Sequence, residues 1–149
     1  MNVLLVCSPG GHLQQMLALK PAWDGMRRAW VTLPGADVEV LLADEPTTLG
    51  HGPTNRSLKN MLRNAGLAWR LLHHHRPDAI LSTGAGLAVP FFLVGRLLGI
   101  TCVYVESVTR TESLSLTGRM VYPLANRFFV QWPALAARYD RATYAGAVL

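Results

Sequence analysis

Strand-length apolar runs alternate with helix-length segments along almost the whole of this sequence. The run Asn2 to Cys7 (NVLLVC) is rich in branched residues and closes on Ser8-Pro9-Gly10-Gly11, the pattern of a buried parallel strand entering a tight turn. Helical spacing follows from His12 to Lys20. Two more strands are expected at Ala29 to Leu33 and Val38 to Ala43, then a long, mobile loop through Pro46, Gly50, Gly52 and Pro53. Arg56 to His75 reads as a helix, Asp78 to Ser82 as a strand, Gly84-Ala85-Gly86 as a turn, Leu87 to Leu98 as an apolar helix and Thr101 to Val105 as a strand. Leu116 to Leu124 is expected to be helical, Arg127 to Gln131 a strand, Pro133 to Tyr139 a helical turn and Thr143 to Ala145 a last short strand. Such alternation specifies an α/β fold: a Rossmann-like domain with a mostly parallel sheet and helices on both faces. At 149 residues, the chain has room for one core, so residues 1–149 are expected to form a single domain.

Only 15% of the residues are charged while 50% are hydrophobic, which excludes a disordered tail and points to apolar surface reserved for a partner or a membrane. The 14 Lys and Arg against 9 Asp and Glu favour anionic company. Nucleic acid is not the expected company, because neither a stacking platform of aromatic residues nor a reading motif accompanies the charge. Cys7 and Cys102 stand far apart with no CxxC, and no secretory leader precedes the first strand, so the expectation is a reduced cytosolic protein without a disulfide or zinc site. His73, His74 and His75 are adjacent on a helix and diverge from one another, so no metal is expected there either.

In the Arg56 to His75 helix, Leu58, Met61, Leu62, Ala65, Ala68, Trp69 and Leu72 recur at the offsets of one face, expected to point inward. Arg56, Lys59, Arg63 and Arg70 fall in one narrow sector, and no Asp or Glu occurs between Pro46 and Pro77. This basic stripe suits an anionic membrane surface or, equally, a solvated outer face. The mostly apolar stretch Ala79 to Val105 is cut by Ser82, Thr83, Gly84, Gly86, Pro90 and Gly99 into strand and helix lengths, which argues against a membrane span. A peripheral contact through Phe91, Phe92 and neighbouring leucines is the remaining expectation.

Three loops, Ser8 to His12, Thr83 to Gly86 and Glu106 to Arg110, follow three expected strands and would share the carboxyl edge of a parallel sheet. If the first strand neighbours the one starting at Asp78, both glycine turns face each other across the crevice where strand order reverses. Glycines opening two helices there suit a diphosphate, although tight turn geometry alone also explains them. Neither GxGxxG nor GxxxxGK[ST] is present, so NAD and ATP are not expected and no cofactor is. His12 could take a proton from a ligand or simply begin its helix. Glu106, directly after the apolar TCVYV, could serve as a base or pair with Arg110 or Arg119.

Four stretches carry a likeness to a known family: SPGGHLQQM (Ser8 to Met16), LSTGAGLAVP (Leu81 to Pro90), YVESVTR (Tyr104 to Arg110) and LSLTGRMVYPLANRFFVQWP (Leu114 to Pro133). They resemble the acceptor-side subunit of two-part GT-B glycosyltransferases. That group includes the membrane subunit of the eukaryotic dolichyl-diphosphate N-acetylglucosamine transferase and bacterial relatives in capsule and exopolysaccharide synthesis, the last stretch being most similar to the capsule branch. A more distant similarity is to the amino-terminal half of the peptidoglycan enzyme that adds N-acetylglucosamine to an undecaprenyl-diphosphate sugar. The resemblance implies that Gly10, Gly11, Thr83, Gly84 and Gly86 face an acceptor diphosphate and that His12 and Glu106 line the cleft between the two halves, near the acceptor hydroxyl or the incoming donor. It also implies a separate donor-binding glycosyltransferase subunit that carries the UDP-sugar, a polyprenyl-diphosphate-linked sugar acceptor, peripheral attachment at the cytoplasmic face of a membrane, and little activity for this chain alone. A non-catalytic scaffold that recruits a transferase to the membrane is the alternative.

Overall fold

The computed structural model describes residues 1–148 of the expected 1–149 domain. In chain order the elements are β1 (Asn2–Cys7), α1 (Gly11–Ala18), α2 (Lys20–Trp23), β2 (Arg27–Thr32), α3 (Ala36–Leu41), β3 (Thr47–Leu49) and α4 (Leu58–His75). They continue with β4 (Ala79–Gly84), α5 (Ala88–Leu97), β5 (Thr101–Val105), α6 (Leu116–Val121), β6 (Arg127–Val130), α7 (Pro133–Arg138) and β7 (Ala142–Tyr144). All strand pairs are parallel, in the order β3-β2-β1-β4-β5-β6-β7. Strand order reverses between β1 and β4, so the expected neighbouring of these two strands is realised and a crevice opens at their carboxyl ends.

Alternation along β1 divides the core. Val3, Leu5 and Cys7 pack with Leu13 and Met16 of α1, Trp23 of α2 and Val38 of α3. Leu4 and Val6 pack on the other face with Leu67, Ala68, Leu71 and Leu72 of α4, most of α5, and Val121 of α6. Side chains of successive strand residues point to opposite faces, so a strand covered on both faces is apolar throughout, as NVLLVC is. Cys7 and Cys102 fall in the two different clusters, both buried and unpaired.

The expected strand from Val38 to Ala43 is instead α3 and the residues after it. Val38 and Leu42, four residues apart, are the buried pair, whereas Val40 between them is exposed. That is a helical spacing, and Asp37 and Glu39 in the first turn favour the helix dipole. The third strand lies in the segment expected to be loop: Thr47–Leu49 adds to β2 at the sheet edge.

The inward face of α4 also differs from expectation. Asn60, Asn64, Leu67, Ala68, Leu71 and Leu72 are buried, while Leu58, Leu62 and Trp69 are exposed. The two asparagines explain the rotation. Asn64 Oδ1 accepts from His51 N at 2.8 Å and Asn64 Nδ2 donates to His51 O at 2.9 Å; Asn60 Nδ2 donates to Pro53 O at 2.9 Å. The segment expected to be a mobile loop is therefore fastened to α4 by side-chain amides that replace a peptide partner. Arg56 stands before the N-cap Ser57, with φ 52°, and so lies outside the helical stripe of Lys59, Arg63 and Arg70.

Phe91 and Phe92 are both fully buried in the core beneath α5. They are not a membrane contact, because each contributes about 2 kcal/mol or more by staying out of water. The apolar residues that α5 does expose are Leu93 and Leu97.

Candidate functional site

At the crevice between β1 and β4 the strand register slips: Val6 pairs with Ser82 but Cys7 pairs with Gly84. Thr83 is the extra residue, and such an irregularity turns its peptide out of the ladder. Its carbonyl oxygen lies 2.9 Å from His12 Nδ1, and its Oγ1 donates to His12 O at 2.7 Å. A carbonyl oxygen only accepts, so Nδ1 carries the hydrogen and Nε2 is left as the acceptor of the ring. Gly84, at φ 126°, lies under the imidazole; a Cβ there would come within 2.8 Å of the ring and 3.3 Å of Tyr104 Oη.

His12 lines a cleft of about 1120 Å³, with Ser8, Ala85 and Gly86 at the switch point, Asn55 to Leu58 and Met61 at the start of α4, and Glu106, Ser107, Thr109 and Arg110 after β5. Leu116, Thr117 and Met120 of α6 complete it. The three loops expected to share one rim do so.

Glu106 is buried and fully engaged. Its Oε1 accepts from Ser107 N at 2.9 Å, its Oε2 from Ser115 N at 2.9 Å, and both oxygens lie 3.0 Å from Ser115 Oγ. Ser115 Oγ in turn caps α6 by accepting from Gly118 N at 2.9 Å. Glu106 therefore folds the β5–α6 loop upon itself, and neither Arg110 nor Arg119 forms an ion pair with it among the described residues. The Glu106 carbonyl is held from both sides, by Gln15 Nε2 at 3.2 Å and Gln131 Nε2 at 3.0 Å. Tyr104 Oη, buried nearby, has no hydrogen-bond partner among the described residues. Burial, followed by the Glu106 charge, pushes its pKa up.

Of the five residues expected to face a diphosphate, Gly86 alone lines the cleft. A Cβ on Gly86 would lie 3.0 Å from the Thr54 carbonyl oxygen, tighter than an ordinary contact, so the glycine lets the 53–57 segment approach closely. Gly10 N–H is already taken: it donates to Asp37 Oδ2 at 2.7 Å. Gly11 begins α1 beside it, and Thr83 and Gly84 clasp and support His12 rather than open onto the cleft. The cationic groups in the cleft are instead Arg56 and Arg110, both exposed and neither in an ion pair among the described residues. In the sequence alone, Arg56 reads as part of a helical stripe and Arg110 only as a partner for Glu106. The position of Arg110, five residues past the end of an apolar strand, is the available signal.

Helices α4, α5 and α6 cover one face of the sheet and contain no Asp or Glu. On α4, Leu58, Leu62 and Trp69 lie within roughly 40° of each other and Lys59, Arg63 and Arg70 within a second sector of roughly 40°, centred about 100° round the helix at about 100° per residue. Leu93 and Leu97 of α5 and Leu116 and Met120 of α6 are exposed as well, and so are Arg96 and Arg119, their neighbours in sequence. This is a mixed apolar and basic surface. Among the described residues no helix is long and apolar enough to cross a membrane.

Residues 51–148 match the family model described as "Oligosaccharide biosynthesis protein Alg14 like". The chain belongs to this Alg14-like family. The human UDP-N-acetylglucosamine transferase subunit ALG14 is 38% identical over 94 residues, covering 59% of this chain and 44% of the human protein. The rat protein of the same name is 28% identical over an alignment of 180 positions, covering 100% of this chain and 83% of its own length. Among solved structures, MurG of Acinetobacter baumannii superposes with a TM-score of 0.80 at 20% identity, over 98% of this chain and 45% of MurG. The chain thus spans less than half the length of MurG, and its match spans less than half of the human relative. The superposition shows the same Rossmann-like fold in this chain and in a little under half of MurG. The family match contains Gly86, Glu106, Arg110 and the α4–α6 face; the β1 turn and His12 lie outside it, within the reach of the full-length rat alignment.

Proposed function

We propose that this chain is the acceptor-binding subunit of a two-chain sugar transferase. It would hold a polyprenyl-diphosphate-linked sugar at the cytoplasmic face of a membrane while a separate donor-binding chain presents a UDP-sugar. The observation that carries this reading is the switch-point cleft, where a histidine of fixed tautomer shares one cavity with two guanidiniums that have no carboxylate partner among the described residues. The relatives named as UDP-N-acetylglucosamine transferase subunits support both the donor class and the need for a second chain.

In this reading Arg56 and Arg110, with the Gly86 turn, hold the diphosphate, because planar guanidiniums match phosphate oxygens in pairs. His12 Nε2 accepts the proton of the acceptor hydroxyl as that oxygen bonds to the anomeric carbon of the donor. The donor's bond to UDP breaks at the same time, and UDP leaves with its electron pair. Glu106 keeps the β5–α6 loop, and so Arg110, in place; its oxygens are committed to that loop, which leaves His12 as the base. The mixed apolar and basic α4–α6 face rests on the anionic leaflet. A bacterial capsule or exopolysaccharide setting is part of the proposal and rests on the Leu114 to Pro133 stretch.

A scaffold without acceptor binding is the second reading, favoured by the Asp37 carboxylate that fills the Gly10 N–H. Copurification with the donor-binding chain, followed by transfer from labelled UDP-sugars to lipid-linked acceptors, separates the two. The proposal expects no transfer by this chain alone and a fall in kcat of about a hundredfold or more for His12→Ala in the intact pair. Transfer unchanged by His12→Ala and by Arg110→Gln, yet lost when the membrane face is made polar, would establish the scaffold.

A further inference from the structure

The same cleft has an apolar end. Leu58 and Met61 enter it from the start of α4, Leu116 and Met120 from α6, and Val89 from the start of α5. Helix α5 packs against both α4 and α6. The beginning of α5 therefore floors a groove whose walls are the first turns of its two neighbours. Leu58 and Leu116 are each 70% exposed, so no part of the described chain covers those walls.

One occupant satisfies both ends. Arg56 and Arg110 call for an anion, while the groove beyond them offers side chains that gain only by excluding water. A sugar or a free phosphate leaves the apolar walls wet; an uncharged apolar ligand leaves the guanidiniums without a counter-charge. Farther along the helices that wall and floor the groove, Leu62 and Trp69 of α4 and Leu93 and Leu97 of α5 are exposed apolar residues. An amphiphile anchored by its phosphates thus meets apolar side chains next to its anionic end and more of them along α4 and α5.

We propose that the groove between α4 and α6 binds the first isoprenoid units of a lipid diphosphate and directs its chain from the cleft to the membrane face. This rests on the reading of the cleft as a lipid-diphosphate site and adds the path of the chain, together with Leu58 and Leu116 as its specificity-determining contacts. The chain would then be recognised by the protein itself, independently of any bilayer.

Calorimetric titration of the whole protein, without vesicles or detergent, tests this with farnesyl diphosphate and inorganic pyrophosphate as probes. Farnesyl diphosphate is expected to bind at least tenfold more tightly than pyrophosphate. The Leu58→Ser, Leu116→Ser double variant should lose that preference and keep its affinity for pyrophosphate, while Leu116→Met should behave like the natural protein. Circular dichroism of each variant reports that the fold is retained, as exposed positions allow. Equal affinity for the two probes, or a preference that survives the double substitution, overturns the groove and leaves the diphosphate site standing. Absence of binding by either probe overturns the lipid-diphosphate reading itself, and the groove with it.

Discussion

His12 and Thr83 hold each other by two hydrogen bonds in opposite senses, Nδ1–H to the Thr83 carbonyl at 2.9 Å and Thr83 Oγ1–H to the His12 carbonyl at 2.7 Å. The clasp joins the turn after β1 to the end of β4 at the point where strand order reverses. Thr83→Val removes the second bond, which is additional to the helical one at the His12 carbonyl, at a part-buried site. It should cost about 1–3 kcal/mol in urea denaturation, while Thr83→Ser should stay near the natural stability.

Glu106 makes a different prediction from that of a free catalytic carboxylate. Its two oxygens meet N–H and O–H donors from Ser107 and Ser115, so Glu106→Gln turns an amino group toward at least one donor. About 2–3 kcal/mol of stability should be lost, with faster proteolysis between residues 107 and 115. Gly118→Ala should reproduce this, because its Cβ would collide with Glu106 Oε2.

The buried thiols give an alkaline limit to stability. Burial, with a smaller push from Asp37, raises Cys7 to about 12 from an ordinary value of 9.0, and burial raises Cys102 to about 11. The native state keeps these protons after the unfolded chain has begun to release them. The contribution is therefore complete below about pH 9 and declines as pH rises through 11 to 12. Denaturation midpoints should be flat near neutral pH and fall above about pH 9. A Cys7→Ala, Cys102→Ala variant, though less stable throughout, should fall less steeply.

How much of this was legible in the residues follows from what each signal encodes. Short apolar runs, closed by glycine turns after β1 and β4 and by Glu106 after β5, reveal these three strands and their common rim, because fully buried parallel strands carry no competing pattern. Val38, Val40 and Leu42 alternate like a strand, and only the sheet's need for cover on the α1 side makes Val38 and Leu42 the working helical pair. Thr47–Leu49 is too short, between Pro46 and Gly50, to announce itself. The orientation of α4 was missed because apolar periodicity assigns leucines inward, whereas Asn60 and Asn64 go inward to bond the 51–53 backbone. In the site, His12 and Glu106 were found by position. Arg110 and Arg56 were not singled out as cleft residues, since a loop arginine is defined by what it lacks as a partner, and that exists only in three dimensions.

The α4–α6 surface predicts two separable effects on vesicle binding. Changing Lys59, Arg63 and Arg70 to Gln should weaken binding to anionic vesicles by about 1 kcal/mol per residue, about a hundredfold in all at low salt. Binding to uncharged vesicles should not change. Leu62→Ser with Trp69→Ser should weaken binding to both kinds, which cosedimentation measures directly.

The central claim is that guanidiniums in the switch-point cleft hold a lipid-linked diphosphate. Equilibrium titration of the protein with farnesyl diphosphate, comparing the natural chain with an Arg56→Gln, Arg110→Gln variant of unchanged circular dichroism, tests it most directly. Saturable one-to-one binding, weakened at least tenfold by the two substitutions, is the predicted result. Binding that does not saturate, or that is equally tight in the variant, would contradict the account.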